Sequence, residues 1–145
     1  AEFYAWLCQE NVMAQHILYS PEEVERFQLL RARGVISDSK PFVLFVLGRY
    51  TSDLTGDVSQ LARFIEAASV EMIWSVCCFG ATEHEAVAIA ARVGGHARVG
   101  FENNLELPNG SIADTNASLI ANAVAIGLAA GRKIASADDL RRLLT

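Results

Sequence analysis

The chain has 145 residues, of which 52% are hydrophobic, and its formal net charge is −5. This length fits one domain with a substantial core, and a negative chain without a basic run is a poor match for a nucleic-acid partner. No apolar stretch reaches the roughly 18 residues that a membrane span requires, and the amino end lacks the basic and apolar regions of a signal peptide. The composition therefore predicts a cytoplasmic protein that binds neither nucleic acid nor a membrane.

The cysteine pattern argues against two kinds of site. Three cysteines are present, and Cys77 and Cys78 are adjacent. This arrangement is neither a disulfide framework nor a spaced set of metal ligands. Because neighbouring residues of a strand face opposite ways, we expect these two to be small core residues in a reducing compartment.

The first half of the chain predicts two strands and their helices. Ser20-Pro21-Glu22-Glu23 is a strong helix start, because a serine cap, an early proline and early carboxylates all favour the amino end of a helix. The run from Pro41 to Gly48 is continuously apolar, which is typical of a parallel strand covered on both faces. The predicted elements are a helix at Phe3 to Val12, a strand at Met13 to Ser20, a helix from Ser20 to Gly34, a polar loop at Ser37 to Lys40, and a strand at Pro41 to Gly48.

The second half predicts two further strands and four helices. Asp57 is expected to cap the helix before the third strand, and the Gly94-Gly95 pair is expected to end the helix after it. The predicted elements are a helix after Asp57, a strand at Met72 to Gly80, a helix from Gly80 to Val93, a strand at Gly94 to Asn104, a helix from Asp114 or Thr115 to Gly131, and a helix from Ser136 to Leu144.

Consecutive strand–helix units with short connections predict a parallel sheet with right-handed crossovers. Two architectures fit: a small open doubly wound sheet, as in flavodoxin-like domains, or half of a (β/α)8 barrel, whose closed form usually needs about 250 residues. Both place the working residues at the carboxyl ends of the strands. Those ends are Tyr19 and Ser20, Gly48 to Tyr50, Cys78 to Gly80, and Glu102 to Asn104.

The stretch from Gly94 to Asn104 carries an unusual pair of charges. As a buried strand, it sends Arg98, Gly100 and Glu102 to one face. A buried cation and carboxylate are costly unless they are paired or bound to a metal, so this face is a candidate functional site. The alternative is an Arg98–Glu102 pair that merely neutralises itself. The sequence contains no Walker loop, no GxGxxG after a strand, no HExxH and no GxSxG, so these motifs do not specify the chemistry.

Several segments resemble the β-keto acid cleavage enzymes, a family that includes the 3-keto-5-aminohexanoate cleavage enzyme of lysine fermentation. The resemblance is strongest in Gly94 to Asn104, followed by a glycine-containing loop and Thr115 to Ile120. Three further segments agree in order and spacing, namely Gln15 to Tyr19 before a helix ending in Gly34, Pro41 to Gly48, and Trp74-Ser75-Val76 leading to Gly80.

The resemblance covers nearly the whole chain but only the second half of the family's fold, which is a (β/α)8 barrel roughly twice this long. It implies that residues 1–145 are the carboxyl-terminal half of an α/β TIM barrel with four parallel strand–helix units. It also implies that the amino-terminal half of the barrel is missing from this sequence.

The resemblance further implies a specific reaction. Such enzymes bind a divalent metal, typically zinc, through a His-X-His pair on an early strand and a glutamate on the last strand, whose position is Glu102 here. The metal would act as a Lewis acid on a β-keto acid. Condensation with acetyl-CoA and retro-Claisen cleavage would then give acetoacetate and a CoA thioester. Arg98 matches the family arginine beside the metal, where a guanidinium can meet a carboxylate with two hydrogen bonds.

Two positions depart from the family's pattern. The residue after the metal-binding glutamate is usually an aspartate paired with the arginine, and it is Asn103 here. An amide cannot take a proton as a carboxylate can, so a base role at this position must move or be lost. The other departure is Gln15, where the alignment places a family glutamate that helps to steer substrate. Arg98, Asn103 and Gln15 are the candidate catalytic residues, and the alternative is that the amides keep the hydrogen bonds and the mechanism tolerates them.

No His-X-His occurs in the sequence, so the chain cannot complete the implied metal site alone. We expect the other ligands from the first half of the barrel instead of a second chain, because an isolated half-barrel exposes sheet edges and an apolar face. A homo-oligomer is also expected. Two alternatives stay open: a catalytically altered homologue that only binds an acyl-CoA or a keto acid, and a flavodoxin-like binding domain with an anion site at Gly80-Ala81-Thr82.

Overall fold

The structure is a computed structural model that describes residues 2–37 and 40–144. The helices and strands follow one another in the predicted order. They are α1 (Glu2–Gln9), β1 (Gln15–Leu18), α2 (Pro21–Ala32), β2 (Phe42–Leu47), α3 (Gln60–Ala67), β3 (Ile73–Cys78), α4 (Glu83–Val93), β4 (His96–Ala97), α5 (Asn116–Ala129) and α6 (Ala137–Leu144). The predicted loop at Ser37 to Lys40 lies partly outside the described residues. Within the two described ranges, no helix is long and apolar enough to cross a bilayer.

The four strands form one parallel sheet in the order β1-β2-β3-β4. Leu18 of β1 pairs with Phe45 of β2, and Leu47 of β2 pairs with Cys78 of β3. A flavodoxin-like sheet places its second strand outside its first, so the sequential order contradicts that alternative. The fold is α/β and forms part of a TIM barrel.

The two faces of the sheet are covered differently. One face packs against α2, α3 and α4 around the buried ring of Phe45, whose centroid lies 5.1 Å from that of Phe64 and 5.5 Å from that of Trp74. The other face carries a smaller cluster, which consists of Leu44, Val46, Cys77 and Phe79 with Tyr19 beside it. Helices on one face and strands in chain order are the arrangement of a barrel wall, so the second face is the inner face.

The structure contains the predicted cap before α2 but not the predicted cap before α3. The Ser20 hydroxyl accepts the N–H of Glu23 at 3.2 Å, which is the predicted cap, and the Glu23 carboxylate accepts the N–H of Tyr19, one residue before the cap, at 2.7 Å. Asp57 does not cap α3, because that helix begins after Ser59. The Asp57 carboxylate instead accepts the N–H and hydroxyl of Ser59 at 2.9 and 2.6 Å, which closes the turn before the helix.

The amino end of α5 offers a test of local stability. Thr115 has extended backbone angles, and its hydroxyl accepts the N–H of Ser118 at 3.3 Å. We expect Thr115→Ala to lower the free energy of unfolding by about 1 kcal/mol, because a first-turn N–H loses its acceptor. Thr115→Ser keeps the hydroxyl and should match the wild type in urea unfolding. Equal stability of the alanine variant would contradict this assignment of the cap.

We expect His96 of β4 to make the free energy of unfolding depend on pH. Burial, and then the nearby charge of Arg132, lower its pKa from the ordinary value of 6.5. The unfolded chain therefore binds a proton before the folded chain does, and stability falls as the pH drops below about 6.5. Urea unfolding at several pH values should show this fall, and His96→Gln should flatten it. If the free energy of unfolding of the variant fell with pH as steeply as that of the wild type, His96 would not be the cause of the fall.

Candidate active site

Backbone hydrogen bonds connect the carboxyl ends of β2 and β3 to the loops that follow. The N–H of Phe79 donates to the carbonyl of Leu47 at 2.9 Å, and the N–H of Gly56 donates to the carbonyl of Phe79 at 2.8 Å. The N–H of Gly80 donates to the carbonyl of Asn103 at 2.9 Å. These bonds hold the segments after β2, β3 and β4 side by side, at the edge where a barrel builds its active site.

Arg98 stands on the inner face at this edge. Its N–H donates to the carbonyl of Val76 at 2.9 Å, which continues the pairing of β4 with β3. Its Nη2 donates to Cys77 Sγ at 3.2 Å and lies 3.2 Å from Glu102 Oε2. The Arg98 side chain is 37% exposed and that of Glu102 is 74% exposed, so water or a ligand reaches both charges.

The predicted fourth strand is wrong beyond Ala97. The structure contains only the short strand β4, and the chain turns at Gly100, where φ is +151°. The N–H groups of Asn103 and Asn104 donate to the carbonyl of Gly100 at 3.0 and 3.1 Å. In this segment, local backbone hydrogen bonds replace the pairing of strands. A turn over residues 100–104, which we call the Glu102 turn, brings the two charges together.

The Glu102 turn rests on a buried carboxylate. Glu83, the first residue of α4, is 4% exposed, and its Oε2 accepts the side-chain amide of Asn103. Its Oε1 accepts Asn104 Nδ2 at 3.0 Å. Asn103 Nδ2 also donates to the carbonyl of Cys78 at 3.2 Å. We call Glu83, Asn103 and Asn104 the Glu83 cluster.

The pKa of Glu83 is raised above its ordinary value, although two opposing effects act on it. Burial raises the pKa of this carboxyl, whereas hydrogen bonds from Asn104, the backbone of Gly100 and Asn103 act to lower it. Every one of these partners donates a hydrogen, and a protonated carboxyl would turn its own O–H towards a donor. The hydrogen-bond pattern therefore fits the ionised carboxylate.

Aromatic rings and a further cation border the same edge. The Arg49 guanidinium lies 5.6 Å from the centre of the Phe79 ring, and the rings of Tyr19 and Tyr50 are 5.0 Å apart. No acidic side chain among the described residues forms an ion pair with Arg49. Two guanidinium groups, those of Arg98 and Arg49, therefore lie at this edge together with the exposed carboxylate of Glu102.

Gln15 lies apart from this group. It is the first residue of β1 and pairs with Phe42, the first residue of β2, whereas Arg98 lies beside Cys77 near the far end of β3. The structure brings Arg98, Glu102 and Asn103 to one edge and leaves Gln15 at the opposite end of the sheet. In this arrangement Gln15 does not contact the other predicted site residues.

Comparison with known proteins decides the classification. A model of the beta-keto acid cleavage enzyme family matches residues 1–145. The chain belongs to this family. Membership agrees with the sheet order, because the β-keto acid cleavage enzymes are TIM barrels.

Two curated relatives carry the name 3-keto-5-aminohexanoate cleavage enzyme. The protein from Fusobacterium nucleatum is 34% identical over 101 residues, which are 70% of this chain and 36% of the relative. The protein from Acetoanaerobium sticklandii is 29% identical over 142 residues, which are 98% of this chain and 51% of the relative. The chain therefore spans about half the length of this second relative.

The described residues do not form a complete metal site. Among residues 2–37 and 40–144, no group of three or more His, Cys, Asp or Glu side chains is placed to hold a metal ion. A catalytic zinc centre normally has three protein ligands, and the carboxylate at the predicted position, Glu102, contacts a guanidinium. These residues fit at most one ligand of the implied zinc.

The adjacent cysteines are core residues, as predicted. Cys78 belongs to the core under the helices and Cys77 to the cluster on the inner face. Burial raises the pKa of the Cys78 thiol to about 11 and also raises the pKa of Cys77. Both thiols are therefore protonated at neutral pH, which argues against a nucleophilic role.

Sequence reasoning missed Glu83. It places this residue in the first turn of a helix, where a carboxylate is common because it favours the helix dipole. The available signal is the Asn103-Asn104 pair after Glu102, since two buried amides need partners. Nothing in the spacing identifies a partner that lies 20 residues earlier in the chain.

Proposed function

We propose that the chain supplies half of the active site of a β-keto acid cleavage enzyme that converts a β-keto acid and acetyl-CoA into acetoacetate and a new CoA thioester. The observation that carries this proposal is the Arg98–Glu102 pair, 3.2 Å apart and open to ligands at the carboxyl edge of the sheet. Family membership supports the reaction class. Zinc is the proposed cofactor, with Glu102 as one ligand and the remaining ligands from outside the described residues.

The proposed reaction conserves all atoms. The bond between the α-carbon and the keto carbon of the β-keto acid breaks, and the acyl group R–CO passes to the sulfur of CoA. The two-carbon carboxylate fragment forms a new bond to the acetyl carbonyl carbon, which gives acetoacetate. Both the β-keto acid and acetoacetate carry a carboxylate, so a site for this reaction needs a fixed cation.

Arg98 meets that need. Cys77 Sγ and Glu102 hold its guanidinium on the inner face, and its remaining N–H groups point to no partner among the described side chains. A guanidinium in this position can bind the substrate carboxylate through two parallel hydrogen bonds. Arg49 is a second cation at this edge and offers a contact for a further anionic group of the keto acid or of CoA.

Asn103 has a supporting part in this proposal. Its Nδ2 donates to both Cys78 and Glu83, so both amide hydrogens are used inside the protein. An amide does not accept a proton at neutral pH, and Asn103 is therefore not the base. We assign it the task of holding the Glu102 turn.

The amide at position 103, where a base would be needed, favours a second candidate function. Without a base at position 103, the protein can bind an acyl-CoA or a keto acid but lack turnover. The two candidates differ in one result, because only the first forms acetoacetate.

The proposal is tested with the longest natural polypeptide that contains these 145 residues. The protein is incubated with acetyl-CoA and a panel of neutral, cationic and anionic β-keto acids, with zinc or with a chelator. We expect acetoacetate and a new CoA thioester in equal amounts, and loss of both with the chelator. Ligand binding without either product would favour the second candidate, and absence of both binding and product would contradict the two of them. Gel filtration of the same sample tests the proposed homo-oligomer.

A further inference from the structure

Glu83 is a buried carboxylate for which the proposed reaction has no direct use. It is 4% exposed and forms no ion pair among the described residues. Burying a carboxylate without a cation is costly, and hydrogen bonds must offset that cost. Among the described residues, the hydrogen bonds of the Glu83 side chain go to the Glu102 turn, where Asn103, Asn104 and the backbone of Gly100 donate to it.

The two asparagine side chains cannot rotate freely to suit another partner. The Asn104 amide is fixed by Glu106, whose carbonyl accepts Asn104 Nδ2 at 2.8 Å and whose N–H donates to Asn104 Oδ1 at 2.9 Å. The Asn103 amide is fixed by the carbonyl of Cys78, which accepts its Nδ2 at 3.2 Å. A flip of either amide would place an oxygen against a carbonyl oxygen.

Two fixed N–H donors therefore converge on position 83. A carboxylate offers an acceptor oxygen to each of them, whereas a glutamine offers one oxygen and one NH₂ group. In a glutamine variant, one asparagine N–H would face another N–H donor. The geometry thus requires a residue with two acceptor oxygens, and a side chain long enough to reach from the start of α4.

From this geometry we infer that Glu83 is a positioning residue, which fixes the turn that presents Glu102 and Arg98 to the substrate. The inference rests on the proposed function for its catalytic consequence. Its structural part, that Glu83 helps to order residues 100–104, rests on the hydrogen bonds of the Glu83 cluster.

Hydrogen exchange of the backbone amides tests the structural part. The N–H groups of Asn103 and Asn104 bond to Gly100, and that of Gly80 bonds to Asn103, so their protection reports the order of the turn. We expect Glu83→Gln to increase exchange at these three amides about 10- to 100-fold, the effect of losing one hydrogen bond to a charged group. Exchange in α2 and α3 should stay within about twofold of the wild type.

The matched control is Glu85→Gln. Glu85 lies two residues further along the same helix turn, is exposed, and forms no side-chain hydrogen bond with the described residues of the Glu102 turn, so this variant removes the same charge from the same helix end. It should leave exchange at all three amides unchanged. Unchanged exchange in Glu83→Gln, or an equal increase throughout the protein, would overturn the inference.

Turnover then tests the catalytic consequence. In the assay for acetoacetate, Glu83→Gln should lower kcat at least about tenfold and change the KM for acetyl-CoA less than about twofold, because the turn is misplaced but not removed. A local increase in exchange with normal kcat would overturn the positioning role. If the wild type itself forms no acetoacetate, the proposed function fails, and hydrogen exchange still decides whether Glu83 fixes the turn.

Discussion

Glu102→Gln should lower the formation of acetoacetate more than roughly a hundredfold, with a matching loss of bound zinc. Glu102 is the proposed metal ligand of this chain, and replacement even of groups that only support a ligand commonly costs 10- to 100-fold in affinity or activity. The substitution is nearly isosteric and removes the charge. Turnover and metal content of the longest natural polypeptide that contains the chain are the quantities to measure.

The fold should survive this change. The Glu102 side chain is 74% exposed and its ion pair with Arg98 is open to solvent, so its loss should change the free energy of unfolding by less than about 1 kcal/mol. Asp114→Asn is a matched control, because Asp114 is an exposed carboxylate before α5. Normal zinc content and normal turnover in Glu102→Gln would show that this residue is not a ligand.

Arg98→Lys should lower kcat/KM about 10- to 100-fold. An ammonium keeps the charge but cannot form two parallel hydrogen bonds to a carboxylate, and hydrogen bonds to charged groups are worth about that factor. The lysine would also lose the present arrangement in which one guanidinium contacts both Cys77 and Glu102. The KM for the keto acid should rise more than the KM for acetyl-CoA.

Arg26→Lys provides the control for this second prediction. Arg26 also pairs with a glutamate, Glu23, but it lies on α2 and its side chain is 72% exposed. Its replacement should leave kcat/KM unchanged. A kcat/KM within about twofold of the wild type in Arg98→Lys would exclude a bidentate role for the guanidinium.

The sequence predicts the parallel sheet well because its signals are local. β2 is a continuous apolar run, and its observed bounds, Phe42–Leu47, fall inside the predicted strand from Pro41 to Gly48. The start of α2 follows from Ser20 and Pro21, which act within one turn of each other. The choice between an open sheet and a barrel is not local, and it required the strand order.

The candidate site is only partly predictable for the same reason. The alternation rule assigns Arg98 and Glu102 to one face of a strand, yet the side chains meet because Gly100 and two asparagines form a turn. The contacts of this exposed ion pair alone also fit the alternative in which Arg98 and Glu102 merely neutralise each other. Its place at the carboxyl edge, on a turn held by buried Glu83, is what supports a functional role.

The site contacts that could not be predicted from the sequence are hydrogen bonds between residues far apart in the chain. Glu83 and Asn103 are 20 residues apart in the chain, and they meet because the fold packs the start of α4 against the Glu102 turn. Glu83 lies beside the candidate site although the sequence did not indicate it. Gln15, in contrast, is a candidate from the family resemblance, but its position in β1 places it at the other end of the sheet. Its role stays a prediction, and Gln15→Ala in the turnover assay tests it.

The central claim is tested most directly by following the acetyl group. The protein is given zinc, an unlabelled β-keto acid and acetyl-CoA that carries an isotopic label in both acetyl carbons, and the product is examined by nuclear magnetic resonance. We predict acetoacetate labelled in its methyl and keto carbons and unlabelled in its other two carbons. Acetoacetate without label, or none from any β-keto acid of the panel, would contradict this account.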